Sequence, residues 1–273
     1  MTIALDRLPQ SWQGLTHRLT YKYFQVRIDT PKDPYKILFR PQPYQVLFIL
    51  SHMRSGSSLL THILNSNPEI IGFGETHLVY ESEEDFKTLM FQLYWRLKDL
   101  NMNHKYILDK VLHDQKFLDH SFLQSDPVKT IFLLREPQRT LASILDIKPH
   151  QNEQHALGYY TGRLATLESY AQLINSKEKS LFITHDQVLN QSQLVFNGLQ
   201  SHLDTKTGFS EEYRVLKTTG SRGIGDSSEN IKAGKIIKQA RKLDIEISDA
   251  VLTQAQKAYD QCYETLSHYC HCI

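Results

Sequence analysis

Val46-Leu47-Phe48-Ile49-Leu50-Ser51-His52-Met53-Arg54-Ser55-Gly56-Ser57-Ser58-Leu59-Leu60 is the stretch on which the fold turns. Five apolar residues, Val46 to Leu50, read as a short strand buried on both faces. A polar turn follows, from Ser51 to Ser57. A helix then begins, carrying Leu59, Leu60, Ile63 and Leu64 at helical spacing and running to about Asn65. A strand that feeds a glycine-containing turn and a helix start makes an anion site. The first-turn N–H groups have no partner inside the helix, and the helix dipole adds positive potential there. The stretch therefore points to a bound phosphate or sulfate ester.

Outward from it, short apolar runs alternate with helical patterns, the signature of βα units and a parallel sheet. A short strand is expected near Ile70–Phe73, a helix over about Glu81–Leu100 and a strand over Tyr106–Val111. A second unbroken apolar run, Thr130–Leu134, leads to a helix starting at Pro137. A helix over Glu153–Ile174 and a strand over Ser180–Thr184 follow, with Asp186 placed to cap the next helix. A long functional loop spans 203–234, and a last helix about Ser248–Leu266. Residues 1–43 are polar, aromatic and proline-punctuated, and read as an N-terminal cap of irregular structure. The expectation is one α/β domain over 1–273, with three layers and a mostly parallel sheet of about five strands flanked by helices.

Composition narrows the function. The chain has 273 residues, 40% of them apolar, which supports a real core. Lys and Arg total 31 against 30 for Asp and Glu, so net charge gives no reason to expect a nucleic-acid or anionic-membrane partner. Any anion site must be local. The N-terminus shows no secretory h-region and no apolar run is long enough to span a bilayer, so a cytoplasmic protein is expected. Cys262, Cys270 and Cys272 are bunched near the C-terminus. They form no disulfide framework, and with His268 and His271 they fit no standard zinc spacing; the reading is reduced tail thiols.

The first turn is not a Walker A loop. It has one glycine, Gly56, and no lysine beside it. Its cation is Arg54, and Ser57 and Ser58 supply hydroxyls, a donor set suited to a tetrahedral oxyanion. The second buried run ends in Arg135, where a nucleotide triphosphatase usually has a magnesium-holding Asp. Ser143 stands eight residues further on, on the following helix. Arg135 and Ser143 can clamp a second phosphate, unless Arg135 merely pairs with Glu136. Two separated anionic groups are implied, with no evident metal ligand.

Arg54-Ser55-Gly56-Ser57-Ser58-Leu59 resembles the 5′-phosphosulfate loop of the sulfotransferases that use 3′-phosphoadenosine-5′-phosphosulfate (PAPS), in its bacterial, carbohydrate-type form. Leu134-Arg135-Glu136-Pro137 through Ser143 resembles their 3′-phosphate motif. Thr219-Gly220-Ser221-Arg222-Gly223-Ile224-Gly225-Asp226 is similar to their late loop over the nucleotide, where Arg222 would add charge at the 3′-phosphate and Gly223 and Gly225 would let backbone approach the ligand closely. The cytosolic eukaryotic type has Lys where Arg54 stands. The resemblance covers about Val46 to Lys235 and implies PAPS as donor, 3′-phosphoadenosine 5′-phosphate (PAP) as product, no metal, and a small-molecule acceptor.

Sulfuryl transfer requires a base for the acceptor proton and cations at the leaving phosphate. Glu75 ranks first as base, since several carbohydrate-type relatives place a Glu after the second strand. His113, after the third strand, ranks second and His77 third. Lys110 is assigned with Arg54 to the sulfuryl or bridging oxygens. Two alternatives remain open: a nucleotide-kinase-like phosphotransferase, and a non-catalytic PAP-binding module. Tyr80, Phe86, Tyr94, Trp95, Tyr159 and Tyr160 could line an acceptor pocket, although their helical spacing also suits a core.

Overall fold

A computed structural model describes residues 10–216, 219–220, 229–239 and 243–273. In chain order the elements are α1 (Gln10–Asp29), β1 (Gln45–Ser51), α2 (Ser57–Asn65), β2 (Ile70–Ile71), α3 (Asp85–Leu97), β3 (Tyr106–Val111), β4 (Val128–Leu134), α4 (Pro137–Ile147), α5 (Glu153–Ile174), β5 (Ser180–Thr184), α6 (His185–Asn190), α7 (Ser192–Leu203), α8 (Glu229–Lys232), α9 (Asp249–Tyr269) and β6 (His271–Cys272).

The strands form one six-stranded sheet in the order β2-β3-β1-β4-β5-β6, with every pairing parallel. Val46 to Leu50 are completely buried, as a central strand covered on both faces requires. Alternation along the strands sorts the core into two. Val46, Phe48 and Leu50 face an aromatic-rich layer that includes Phe24 of α1, Phe86 of α3, Leu141 of α4, Tyr160 of α5 and Val251 of α9. Leu47 and Ile49 face an aliphatic layer that includes Leu60 of α2, Val188 of α6 and Leu199 of α7. The helix after β1 thus lies on one face and the helix after β4 on the other, although the two strands are neighbours. Their carboxyl ends splay the following chain apart and leave a crevice, the usual ligand position in an open α/β sheet.

Several expectations change. Residues 10–29 form a 20-residue helix where irregular structure was expected. The segment lacks a clean apolar stripe, and tertiary contact supplies what periodicity does not. Phe24 and Ile28, one turn apart, are fully buried, and Tyr21 sets its ring 5.0 Å from Phe91 of α3. Helix α3 starts at Asp85 rather than near Glu81, because the Asp85 carboxylate accepts the Glu81 and Ser82 amides and holds them in a turn. Asp186 is not the cap of α6. Thr184 takes that place in a reciprocal box with Gln187. The C-terminal tail adds a sixth strand beside β5. Its three cysteines are free thiols, with Cys262 and Cys270 buried and Cys272 exposed. No helix among the described residues is long and apolar enough to cross a membrane.

Candidate active site

The loop after β1 is fixed from below by a buried histidine. His52 Nε2 accepts the Arg135 amide at 3.1 Å, so its proton sits on Nδ1, which donates to the Met53 carbonyl at 2.9 Å. Burial, with Arg163 and Arg135 nearby, pushes the imidazole down to about 4, and it stays neutral. This one ring ties the end of β1 to the end of β4. Above it the chain turns through two left-handed residues, Arg54 at φ 64° and Gly56 at φ 89°. Only glycine suits the second. A Cβ there would lie 2.2 Å from the His185 ring as well as in a strained conformation. Gly56 is also the N-cap of α2, so no side chain at that position takes the first-turn amides. Ser55 is buried under the loop, and its hydroxyl accepts the Ser57 amide at 3.3 Å.

At the end of β4, Arg135 donates from its guanidinium to the Arg54 carbonyl at 3.0 Å. Arg54 in turn donates from Nε to Ser143 Oγ, on α4, at 2.8 Å. The two arginines and the serine therefore form one connected corner. Glu136 is occupied elsewhere: it caps α4 through the Arg139 amide, with Pro137 at the first helical position, and it pairs with the Arg139 side chain at 3.6 Å.

At the end of β3, alternation separates two adjacent residues. Lys110 lies on the α2 side, 2% exposed, with Nζ 3.4 Å from Ser58 Oγ. Asp109 lies on the aromatic side and accepts four hydrogen bonds: from the Thr76 amide at 3.0 Å, the Thr76 hydroxyl at 2.7 Å, the Tyr80 hydroxyl at 2.6 Å and the Lys110 amide at 2.8 Å. This carries Glu75 to the cavity, where its Oε1 lies 3.9 Å from His113 Nε2. Burial raises the Glu75 carboxyl above the ordinary range, with Asp109 adding to the rise and Lys110 and His77 opposing it. Burial likewise lowers His113. His77 adopts φ 61°, and its carbonyl accepts from Lys116 at 2.9 Å.

Helix α5 braces all three strand ends. Tyr159 accepts the Met53 amide and donates to the Leu112 carbonyl, both at 2.8 Å. Tyr160 donates to the Arg135 carbonyl at 2.8 Å. Arg163, with no exposed surface, spans the Ser51 and Val111 carbonyls and Asp114. Tyr159 and Tyr160 thus hold backbone, and Tyr80, Phe86 and Tyr94 are fully buried core.

A cavity of about 370 Å³ opens over these ends. Arg54, Gly56, Ser57, Ser58, Leu59, Glu75, His77, Lys110, His113, Arg135 and Ser143 all line it, whereas Ser55 does not. Arg222 and Gly223 lie outside the described residues. Thr219, just before them, is held at 2.7 Å by His62 Nε2 of α2. Sequence reasoning missed His185, Arg139 and Tyr213, which also line the cavity. His185 was within reach, because it follows the last residue of an expected parallel strand, where ligands gather. Burial beside Arg135 and Arg139 pushes its imidazole down to about 3. Among the described residues, no three His, Cys, Asp or Glu side chains gather as a metal site.

No family model matches the chain, and no curated protein matches it. Solved structures do. The sulfotransferase domain from the curacin biosynthetic pathway is 14% identical, with TM-score 0.54, over 82% of this chain and 99% of that one. The sulfotransferase domain from the Synechococcus PCC 7002 olefin synthase is 15% identical, with TM-score 0.46, over 81% and 96%. Mouse sulfotransferase SULT7A1, complexed with PAP, is 13% identical, with TM-score 0.41, over 68% and 64%. The first of these likenesses establishes a shared fold; the other two, below 0.5, carry no argument.

Proposed function

Because the chain has the fold of a sulfotransferase domain, we propose that it moves a sulfuryl group from PAPS to a hydroxyl or amine of a small-molecule acceptor. The observation that carries this reading is a single cavity in which an anion loop, an arginine–serine corner, the Glu75–His113 pair and Lys110 meet.

The donor's two anionic ends match the two cationic positions. The α2 first turn and Lys110 receive the 5′-phosphosulfate, and Arg135 and Ser143 the 3′-phosphate. Arg54 belongs to the loop but reaches Ser143, so it links the two positions. Glu75 accepts the acceptor's proton. The acceptor oxygen or nitrogen then bonds to sulfur as the bond from sulfur to the bridging oxygen breaks. That electron pair leaves on the 5′-phosphate of PAP, where Lys110 offsets the charge. A carboxyl held above its ordinary range by burial is the better base near neutral pH. A kinase-like reading is disfavoured by the β1–α2 turn, which has no lysine beside Gly56 to meet the β- and γ-phosphates.

The test is thermal-shift titration with PAP and with ATP plus Mg²⁺, followed by transfer of labelled sulfate from PAPS to an acceptor library. Stabilisation by PAP and label transfer are expected. Stabilisation by ATP with magnesium and none by PAP would overturn the proposal.

A further inference from the structure

Glu75 sits in a segment with no regular structure to hold it. Residues 72–79 lie outside any helix or strand, and the backbone takes left-handed turns at Gly74 (φ 116°) and His77 (φ 61°) on either side of Glu75. What holds the segment is Asp109. On its strand face the neighbours two residues away are Ile107 and Val111, both packed in the aromatic core. An apolar side chain would complete that pattern and avoid the cost of burying a carboxylate. Instead Asp109, 2% exposed, saturates its two oxygens with four donors. Two come from Thr76, the residue after Glu75, and one from the amide of Lys110. One carboxylate therefore sets the backbone beside both residues at the reacting end of the cavity.

We propose that Asp109 is a positioning residue for proton transfer: it clasps the Glu75 segment to β3 in register with Lys110. The proposal rests on Glu75 as the base. Burial and the Asp109 charge both raise the Glu75 carboxyl. The groups that oppose are Lys110 on the same strand, His77 on the same segment and Lys116 beyond β3. His113, 3.9 Å away, is itself kept low by burial. Two substitutions probe the clasp. Asp109→Asn removes the charge and puts an NH2 donor where one oxygen accepts two of the four hydrogen bonds, so it loosens the clasp as well. Thr76→Val removes the hydroxyl donor, one of the four hydrogen bonds, and keeps the backbone amide and the charge.

The experiment is a carboxyl ¹³C NMR titration of the full chain labelled at glutamate, with the Glu75 signal identified by its loss in Glu75→Gln. It is run beside pH profiles of sulfuryl transfer. In Asp109→Asn, the Glu75 titration and the acid limb of kcat/KM should both move down by roughly 0.5–1 pH unit. In Thr76→Val, the limb should stay in place, kcat should fall about tenfold, and PAP affinity should be unchanged. A Glu75 titration unmoved in Asp109→Asn overturns the proposal, as does an unchanged kcat in Thr76→Val. The carboxyl titration reads the effect of Asp109 on Glu75 without any turnover. Absence of transfer by the unsubstituted protein therefore counts against the assigned reaction, and an unmoved titration counts against Asp109.

Discussion

The β1–β4 side of the cavity and its β3 side reach the same space by different constructions. On the first, a loop of consecutive residues wraps a helix start, and its partner corner lies within eight residues of one strand end. The geometry starts in the backbone, with left-handed turns at Arg54 and Gly56, a glycine N-cap and a proline helix start, and buried His52 and Tyr160 then tie the two strand ends down. On the β3 side, Glu75 comes from one segment and Lys110 and His113 from another, and buried polar side chains hold them. Local chain chemistry suffices to grip an anion, because amides and a helix dipole point the same way wherever a helix begins. Proton transfer needs groups aligned to fractions of an ångström, and only a braced interior supplies that.

If this division of labour holds, substitutions on the two sides should fail in different ways. Glu75→Gln should lower turnover roughly 1000-fold while PAP affinity stays at the wild-type level. His113→Ala should cost only about tenfold, since the partly exposed His113, 3.9 Å from Glu75, contributes little. Rapid-quench transfer assays with parallel PAP titrations measure both. A large loss of PAP affinity in Glu75→Gln would erase the distinction. Arg135→Ala should weaken PAP binding roughly 100-fold, and Arg54→Ala somewhat less, through loss of charge-assisted hydrogen bonds to phosphate. Calorimetric titration reads the loss directly. Undiminished affinity in both variants would remove the anion side altogether.

The brace is tested by stability. Arg163→Met keeps the aliphatic stem but leaves the Ser51 and Val111 carbonyls unpaired, and should cost about 3 kcal/mol in urea unfolding. The smallest effect lies on the opposite face of the same helix. Gly158 and Gly162 have open space where a Cβ would stand, so Gly158→Ala and Gly162→Ala should each stabilise by roughly 0.5–1 kcal/mol. Destabilisation there would mean that the outer face of α5 is packed against something.

Much of the frame was legible. Apolar runs with β-branched or aromatic residues marked β1, β3, β4 and β5, and the α2, α4 and α5 starts carried Gly, Pro and Asn signals. Helix α1 was not legible, because Leu19, Tyr23 and Val26, exposed on its other faces, blur the stripe of residues that meets α3. Thr184 was passed over for Asp186 because both residue types cap helices. The choice depended on which backbone stood extended, and Thr184 does, at φ −106° and ψ 156°. His185 escaped notice because its role comes from approach to Gly56 across 129 positions of sequence.

Residue order alone dictated a strand, an anion turn and a helix at 46–65, and an arginine at the mouth of a second strand, because those signals lie within one helical turn of each other. Whether the two mouths faced one cavity depended on β1 and β4 pairing side by side. Which acid met the lysine depended on a carboxylate thirty-three residues from the threonine it grips. Contacts between residues so distant in sequence carry no local propensity; they exist because burial leaves each polar group one way to be satisfied.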